Sequence, residues 1–103
     1  MMFTTHNKKH IPIHGTSLQG AIVIDYASIK KAFGLPNNGD EYKISAEWDI
    51  LFEDGVIATI YDWKEGKNYL GKEGTPKTKI TEWHIGGHDQ KAVEHVYSIL
   101  RGA

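Results

Sequence analysis

The residues best suited to chemistry gather around two Trp-centred segments, Tyr61-Asp62-Trp63-Lys64 and Trp83-His84-Ile85-Gly86-Gly87. Gly86-Gly87 stands just ahead of an amphipathic helical pattern. A helix N-terminus stripped of side chains lets a phosphate approach free backbone N–H groups at the positive end of the helix dipole. Thr16 and Ser17, with Gln19 beside them, lie between Gly15 and Gly20 and offer hydroxyl and amide donors in a second close-approach turn. His84 and His88 straddle the double glycine. Lys64 and Lys72, helped by Lys67, Lys77 and Lys79, supply positive charge, while Tyr61, Trp63 and Tyr69 supply rings on which a base can stack at about 1 to 3 kcal/mol. These are parts for holding a small anion of nucleotide type, although each has a plainer use: a tight turn, a solvated loop, a core ring.

For catalysis the sequence offers less. If the strand after residue 78 pairs beside the one ending at Trp63, then Glu82 and His84 share a face with Asp62, Glu47 and Asp49, an arrangement that serves acid–base or metal chemistry. Alternating charges on one sheet face are more often simply its wetted side. His10 and His14 lie roughly 13 Å apart on an extended chain, too far to chelate one ion, and Pro12 forbids the helix that would bring them together. Neither a phosphate loop of Walker type nor a GxSxG elbow is present. The expectation is a protein with no catalytic residue, no metal and no cofactor.

The elements that position these residues follow from hydrophobic period and punctuation. Residues 1–9 are polar and expected to fray. Ala21 to Ile24 reads as a short buried strand, and Asp25 caps a helix that places Tyr26, Ile29 and Phe33 on one face until Gly34 and Pro36 stop it. From Tyr42 to Phe52 apolar and polar residues alternate, a half-buried strand. Asp54-Gly55 reads as a two-residue type I′ hairpin turn, a register that sets Trp48 opposite Tyr61 and Ala46 opposite Trp63. The other face then carries Glu47, Asp49 and Asp62 beside Leu51, Val56, Ala58 and Ile60. Residues 65–78, rich in Gly and Lys, read as a mobile flap. Lys79 to Ile85 is a strand, and a last helix follows with Asp89 as its cap and Ala92, Val93, Val96, Ile99 and Leu100 as its apolar stripe. The order is β-α-β-β-β-α, a curved antiparallel sheet with two helices on one face, and the fold class is α+β.

Length and charge set the outer limits. One hundred and three residues make a single domain, and three Trp, five Tyr and three Phe give it a core to bury. A formal charge of -1 disfavours both a nucleic acid polymer as partner and mimicry of one. Without cysteine there are no disulfides or thiolate metal sites. No run approaches the length of a membrane span, so the expected place is the cytoplasm. Leu51, Val56, Ala58 and Ile60, on the face away from the helices, need cover: either a second copy, giving a homodimer, or the chain's own Ile11 to Ile13.

The strings Gly15-Thr16-Ser17-Leu18-Gln19-Gly20, Phe33-Gly34-Leu35-Pro36, Val56 to Lys64 and Trp83 to Gly87 occur in one order across residues 14–101. This combination resembles a group of small proteins encoded by bacteriophages. The resemblance implies a setting, the host bacterial cytoplasm, where small phage accessory proteins often counter host defence. It implies two modes of action: sequestration of a nucleotide-derived anionic small molecule, or inhibition of a host defence protein through the second sheet face.

Overall fold

The computed structural model describes residues 2–102. Five strands, β1 (Phe3–Thr5), β2 (Ser17–Val23), β3 (Glu47–Phe52), β4 (Ile57–Tyr61) and β5 (Glu82–Gly87), form one antiparallel sheet in the order β1-β3-β4-β5-β2. Helices α1 (Tyr26–Phe33) and α3 (Lys91–Arg101) pack on one face of it, and a one-turn helix α2 (Lys67–Leu70) lies between β4 and β5. The class is α+β, with one more strand than the sequence pattern suggests.

The core lies between the sheet and the two helices. Ile22, Trp48, Ile50, Phe52, Ala58, Ile60, Trp83 and Ile85 meet Tyr26, Ile29, Phe33, Ala92 and Val96 there. Each large apolar side chain removed from water contributes about 1.5–3 kcal/mol. The two buried indoles keep their donors satisfied: Trp48 Nε1 donates to Gly34 O at 2.8 Å and Trp83 Nε1 to Ile24 O at 3.0 Å.

Four sequence expectations change. Residues 3–5 do not fray but form β1 against β3, because the Phe3 ring packs edge-on against Phe33 and Phe52. The strand expected from Tyr42 begins only at Glu47. Ahead of it Asp40 Oδ1 accepts the amides of Tyr42 and Ile44 at 2.8 and 2.9 Å, so a side chain takes over the bonding that a strand ladder would provide. Residues 65–78 contain α2 and a 3₁₀ turn at Gly71–Glu73, with another at Lys77–Lys79, and a bridge pairs Gly66 with Thr75.

The fourth change is the register of β3 with β4. The hairpin loop has three residues, not two: Gly55 N donates to Phe52 O, Phe52 N donates to Val56 O, both at 2.9 Å, and Gly55 takes φ +90°. That is a type I turn closed by a glycine bulge. The added residue moves every β4 side chain to the other face. Trp48 now pairs with Ile60 and Glu47 with Tyr61. Ala58 and Ile60 are therefore buried under the helices, and the second face presents Glu47, Asp49 and Leu51 beside Ile57, Thr59 and Tyr61. Ala58 and Ile60 thus leave the apolar second face expected for a homodimer or for protein inhibition, where Leu51 stays and Ile57 joins it. Part of what remains is covered by the chain itself, since β1 and β2 sit at opposite edges and the segment joining them crosses this side. Ile11 is 2% exposed, and Ile13 and Thr16 line a recess with Glu47 and Thr59.

Candidate ligand-binding site

Trp63 is the hub of the most chemically loaded surface. It follows β4 directly and is 40% exposed, whereas Trp48 and Trp83 are fully buried. Lys43 Nζ lies 5.6 Å from the Trp63 ring centre and Lys64 Nζ lies at the same distance. The two ammonium groups also reach over Tyr42 and Tyr69, at 5.9 and 5.7 Å, and these two tyrosine rings stand 5.2 Å apart. Three aromatic rings are thus interleaved with two cations at the surface.

The backbone is bent to build this cluster. Lys64 holds φ +60° and Glu41 φ +61°, left-handed values that cost a side-chain-bearing residue about 1 kcal/mol or more. Lys64 N donates to Lys43 O at 2.7 Å, which fixes the two lysines next to each other. Asp62, fully buried, braces the loop from beneath: its Oδ1 accepts the amides of Ser45 and Ala46 at 2.8 and 2.9 Å. Asp62 therefore does not join Glu82 and His84 on a wet face, as the sequence pattern suggests.

Beside Trp63 opens a recess of about 200 Å³ lined by Thr16, Ser17, Glu47, Thr59, Tyr61 and Gly86, with Ile13 and Ile44 at its sides. Glu47 is mostly withdrawn from water and stands beside Asp49; burial first, then the hydrogen bond and negative charge of Asp49, push its carboxyl up to about 9. It is uncharged at neutral pH. Burial, with the nearness of Glu47, also raises the Tyr61 phenol. Near the 40–45 loop runs a larger open groove of about 630 Å³, lined by Lys67, Lys77 and the carboxylate of Glu41 together with Asn38, Ser45, Asn68, Pro76 and Thr78.

The structure brings together Thr16, Ser17, Tyr61, Trp63 and Gly86 in one recess, with Lys64 and Tyr69 at its Trp63 wall. It does not bring the others. Gly86 and Gly87 lie inside β5, paired on both sides with β4 and β2, and both are buried. Their backbone belongs to the sheet and not to a helix start. Glycine is required there for packing: a Cβ on Gly87 would come within 2.4 Å of Ala92 Cβ, and one on Gly86 within 2.4 Å of Thr59 Oγ1. The N-terminus of α3 is closed by a carboxylate, Asp89 Oδ1, which accepts Lys91 N at 2.9 Å. Gln19 donates from Nε2 to Gly87 O at 3.1 Å, a structural bond across the bulge of β2. His88 lies next to Gly15, His84 packs edge-on to Tyr61 at 5.5 Å, and Lys72 sits exposed in a 3₁₀ turn. Among the described residues no group of three His, Asp or Glu side chains is placed to hold a metal ion.

Sequence reasoning missed Tyr42, Lys43 and Glu47 as site residues. Tyr42 and Lys43 read as strand positions because they continue the alternation of β3. Glu47 read as part of a wetted face or of an acid–base cluster with Glu82 and His84, not as the wall of a recess, which Ile13, Thr16 and Ile44 help to close around it.

Comparison with protein-family models finds none that matches the chain, and comparison with curated proteins finds no match either. Among the described residues, no helix is long and apolar enough to cross a membrane.

Proposed function

We propose that this chain is a binding protein that sequesters a nucleotide-derived anionic small molecule. In this reading the base stacks on Trp63, its phosphate groups meet Lys43 and Lys64, and its far edge enters the recess above Tyr61 and Glu47. The observation that carries it is the exposed indole with two ammonium groups each 5.6 Å from its centre. Two lysines held together on a chain of net charge -1 form a local positive field that an anion relieves. Glu47 fits the same reading, because an uncharged carboxyl does not repel an anion. A larger ligand finds further charge in the neighbouring groove, from Lys67 and Lys77. The setting we infer is a phage–host conflict, with the protein withdrawing a nucleotide signal from host defence.

The test is calorimetric titration with AMP, GMP, CMP and UMP and with cyclic dinucleotides, backed by thermal shift. A bound ligand stabilises the fold in proportion to its occupancy. Trp63→Ala is expected to weaken binding by roughly tenfold or more, the value of one stacked base. Because Trp63 is half-exposed, the fold should survive that change. Lys43→Gln with Lys64→Gln should weaken binding and flatten its salt dependence. Binding of equal strength to wild type and Trp63→Ala, or no binding of any of these nucleotides, overturns the reading.

A further inference from the structure

Two carboxyl groups stand on neighbouring positions of the recess side of the sheet, and among the described residues neither is in an ion pair. Glu47 and Asp49 are alternate residues of β3, so both project away from the helices. Two ionised carboxylates placed so only accept and cannot bond to one another, whereas a proton on either one would let it donate to the other. Asp49 is 8% exposed; its Oδ2 accepts from Asn37 Nδ2 at 3.1 Å, while its Oδ1 is buried with no hydrogen-bond partner. A proton on Glu47, the neighbouring carboxyl on the same strand face, would fill that vacancy. Charged and titratable groups around Glu47 favour this state: Asp49 on its own strand and Asp40 from the preceding loop repel a further negative charge, and Tyr61 on β4 is neutral. His84 on β5 is turned against Tyr61, Ile13 and Thr16 above carry no charge, and His6, ahead of the crossing segment, meets the main chain of Asp49, its Nδ1 accepting Asp49 N at 3.2 Å. Among the described residues the one ion pair lies elsewhere, between His95 and Asp54.

Resting on the nucleotide-binding reading above, we propose that Glu47 and Asp49 share one proton and that Glu47 is the specificity residue of the recess, its second oxygen accepting a hydrogen bond from an N–H on the edge of the base stacked on Trp63. With its O–H given to Asp49 Oδ1, Glu47 keeps one uncharged carbonyl oxygen facing the ligand. A base whose edge presents an amino or imide N–H pairs with it, and one that presents only acceptors leaves it unpaired in a dry site, which is how a polar pocket discriminates. Losing the proton turns the same oxygen into part of a carboxylate that repels the anion. The raised titration of Glu47 agrees with this arrangement.

Two measurements test it. Carbon-detected NMR of the free protein should show the Glu47 carboxyl titrating near pH 9, and a midpoint near an ordinary 4.5 overturns the shared proton. Binding is then measured with whichever of AMP, GMP, CMP and UMP binds wild type best. Glu47→Ala should weaken it roughly tenfold, the worth of one buried hydrogen bond. Glu47→Gln, which offers an N–H to Asp49 and an uncharged oxygen to the ligand, should rescue most of that loss. Between about pH 7 and pH 10 wild type should lose affinity that Glu47→Gln retains, the glutamine variant serving as the control for titrating lysines. Glu47→Gln binding as poorly as Glu47→Ala overturns the role in specificity. If none of these four nor any cyclic dinucleotide binds, that role falls together with the nucleotide reading, and if only a cyclic dinucleotide binds, the Glu47 variants are measured with it; the carboxyl titration decides in either case whether the pair shares a proton.

Discussion

Glu47 also sets how the stability of the fold responds to pH. Its carboxyl, ordinarily near 4.5, is pushed up to about 9 in the folded chain by burial and by Asp49. Between those values the folded state holds a proton that the unfolded state has released, so stability falls as pH rises through that window and levels off above it. One full proton corresponds to at most about 1.4 kcal/mol per pH unit, and solvent reaching the recess makes the slope smaller. Asp54 acts with the opposite sign. The hydrogen bond from His95, 2.7 Å away, holds its carboxyl below the ordinary 3.8, so what it adds is present above that value and lost as pH falls through the lower one. Glu65, raised first by burial and then by the charges of Glu82 and Asp62, acts in the same direction as Glu47, so the share of the slope that belongs to Glu47 is the part that Glu47→Gln removes. Urea unfolding at several pH values from about 5 to 9 should show wild type losing more stability than Glu47→Gln as pH rises; parallel curves for the two proteins contradict the assignment. The carboxyl's place on the strand was legible from the alternation around Trp48. Its titration was not, since it depends first on burial beside Ile13, Thr16 and Ile44, contacts that no local pattern encodes.

At the scale of elements, the sequence was readable wherever one period ran undisturbed. Tyr26, Ile29 and Phe33 give α1 its buried face, and Ala92 and Val96 do the same for α3. It misled where glycine has two uses. Asp54-Gly55 suits a two-residue turn, yet Gly55 serves as the bulge of a three-residue loop, and this single step carries Tyr61 away from the helices and into the recess. Gly86-Gly87 likewise reads as a bare helix start but is the end of β5, where the missing side chains let α3 lie close on the sheet. The packing account makes a sharp prediction. Gly87→Ala pushes a Cβ to 2.4 Å from Ala92 Cβ and should destabilise the protein by about 1–3 kcal/mol, the usual cost of overfilling a core. Ala92→Gly removes the atom it strikes, so the double variant should lose clearly less than the sum of the two single losses. Strict additivity in urea unfolding would mean that Gly87 is needed for something other than room under α3.

For the molecule as a whole, the decisive question is how the sheet ends, because an open edge is a template for pairing with another chain. At the β1 edge the strand is only Phe3–Thr5, and short edges pair weakly. The other edge, β2, runs for seven residues and exposes Leu18 and Val23, which makes it the hazardous one. Helix α3 guards it. Gln90 Nε2 donates to Gln19 O at 2.8 Å, Tyr97 Oη donates to Ala21 O at 2.6 Å, and Arg101 donates to Val23 O. Acceptors at alternate positions of β2 are matched by donors spaced along one side of the helix. The same helix that fills the core with Ala92 and Val96 thus occupies carbonyls that a neighbouring strand would use. This division of labour was invisible in the sequence, where Gln90, Tyr97 and Arg101 look like an ordinary wetted face. Replacing them together, as Gln90→Ala, Tyr97→Phe and Arg101→Ala, leaves the apolar stripe of α3 intact and uncovers the edge. Sedimentation across a range of concentrations should then show the triple variant self-associating more strongly than wild type, with circular dichroism still reporting the native fold. If the folded triple variant sediments as wild type does, the three side chains are not what keeps β2 from pairing, and the twist or bulge of the strand must do so instead.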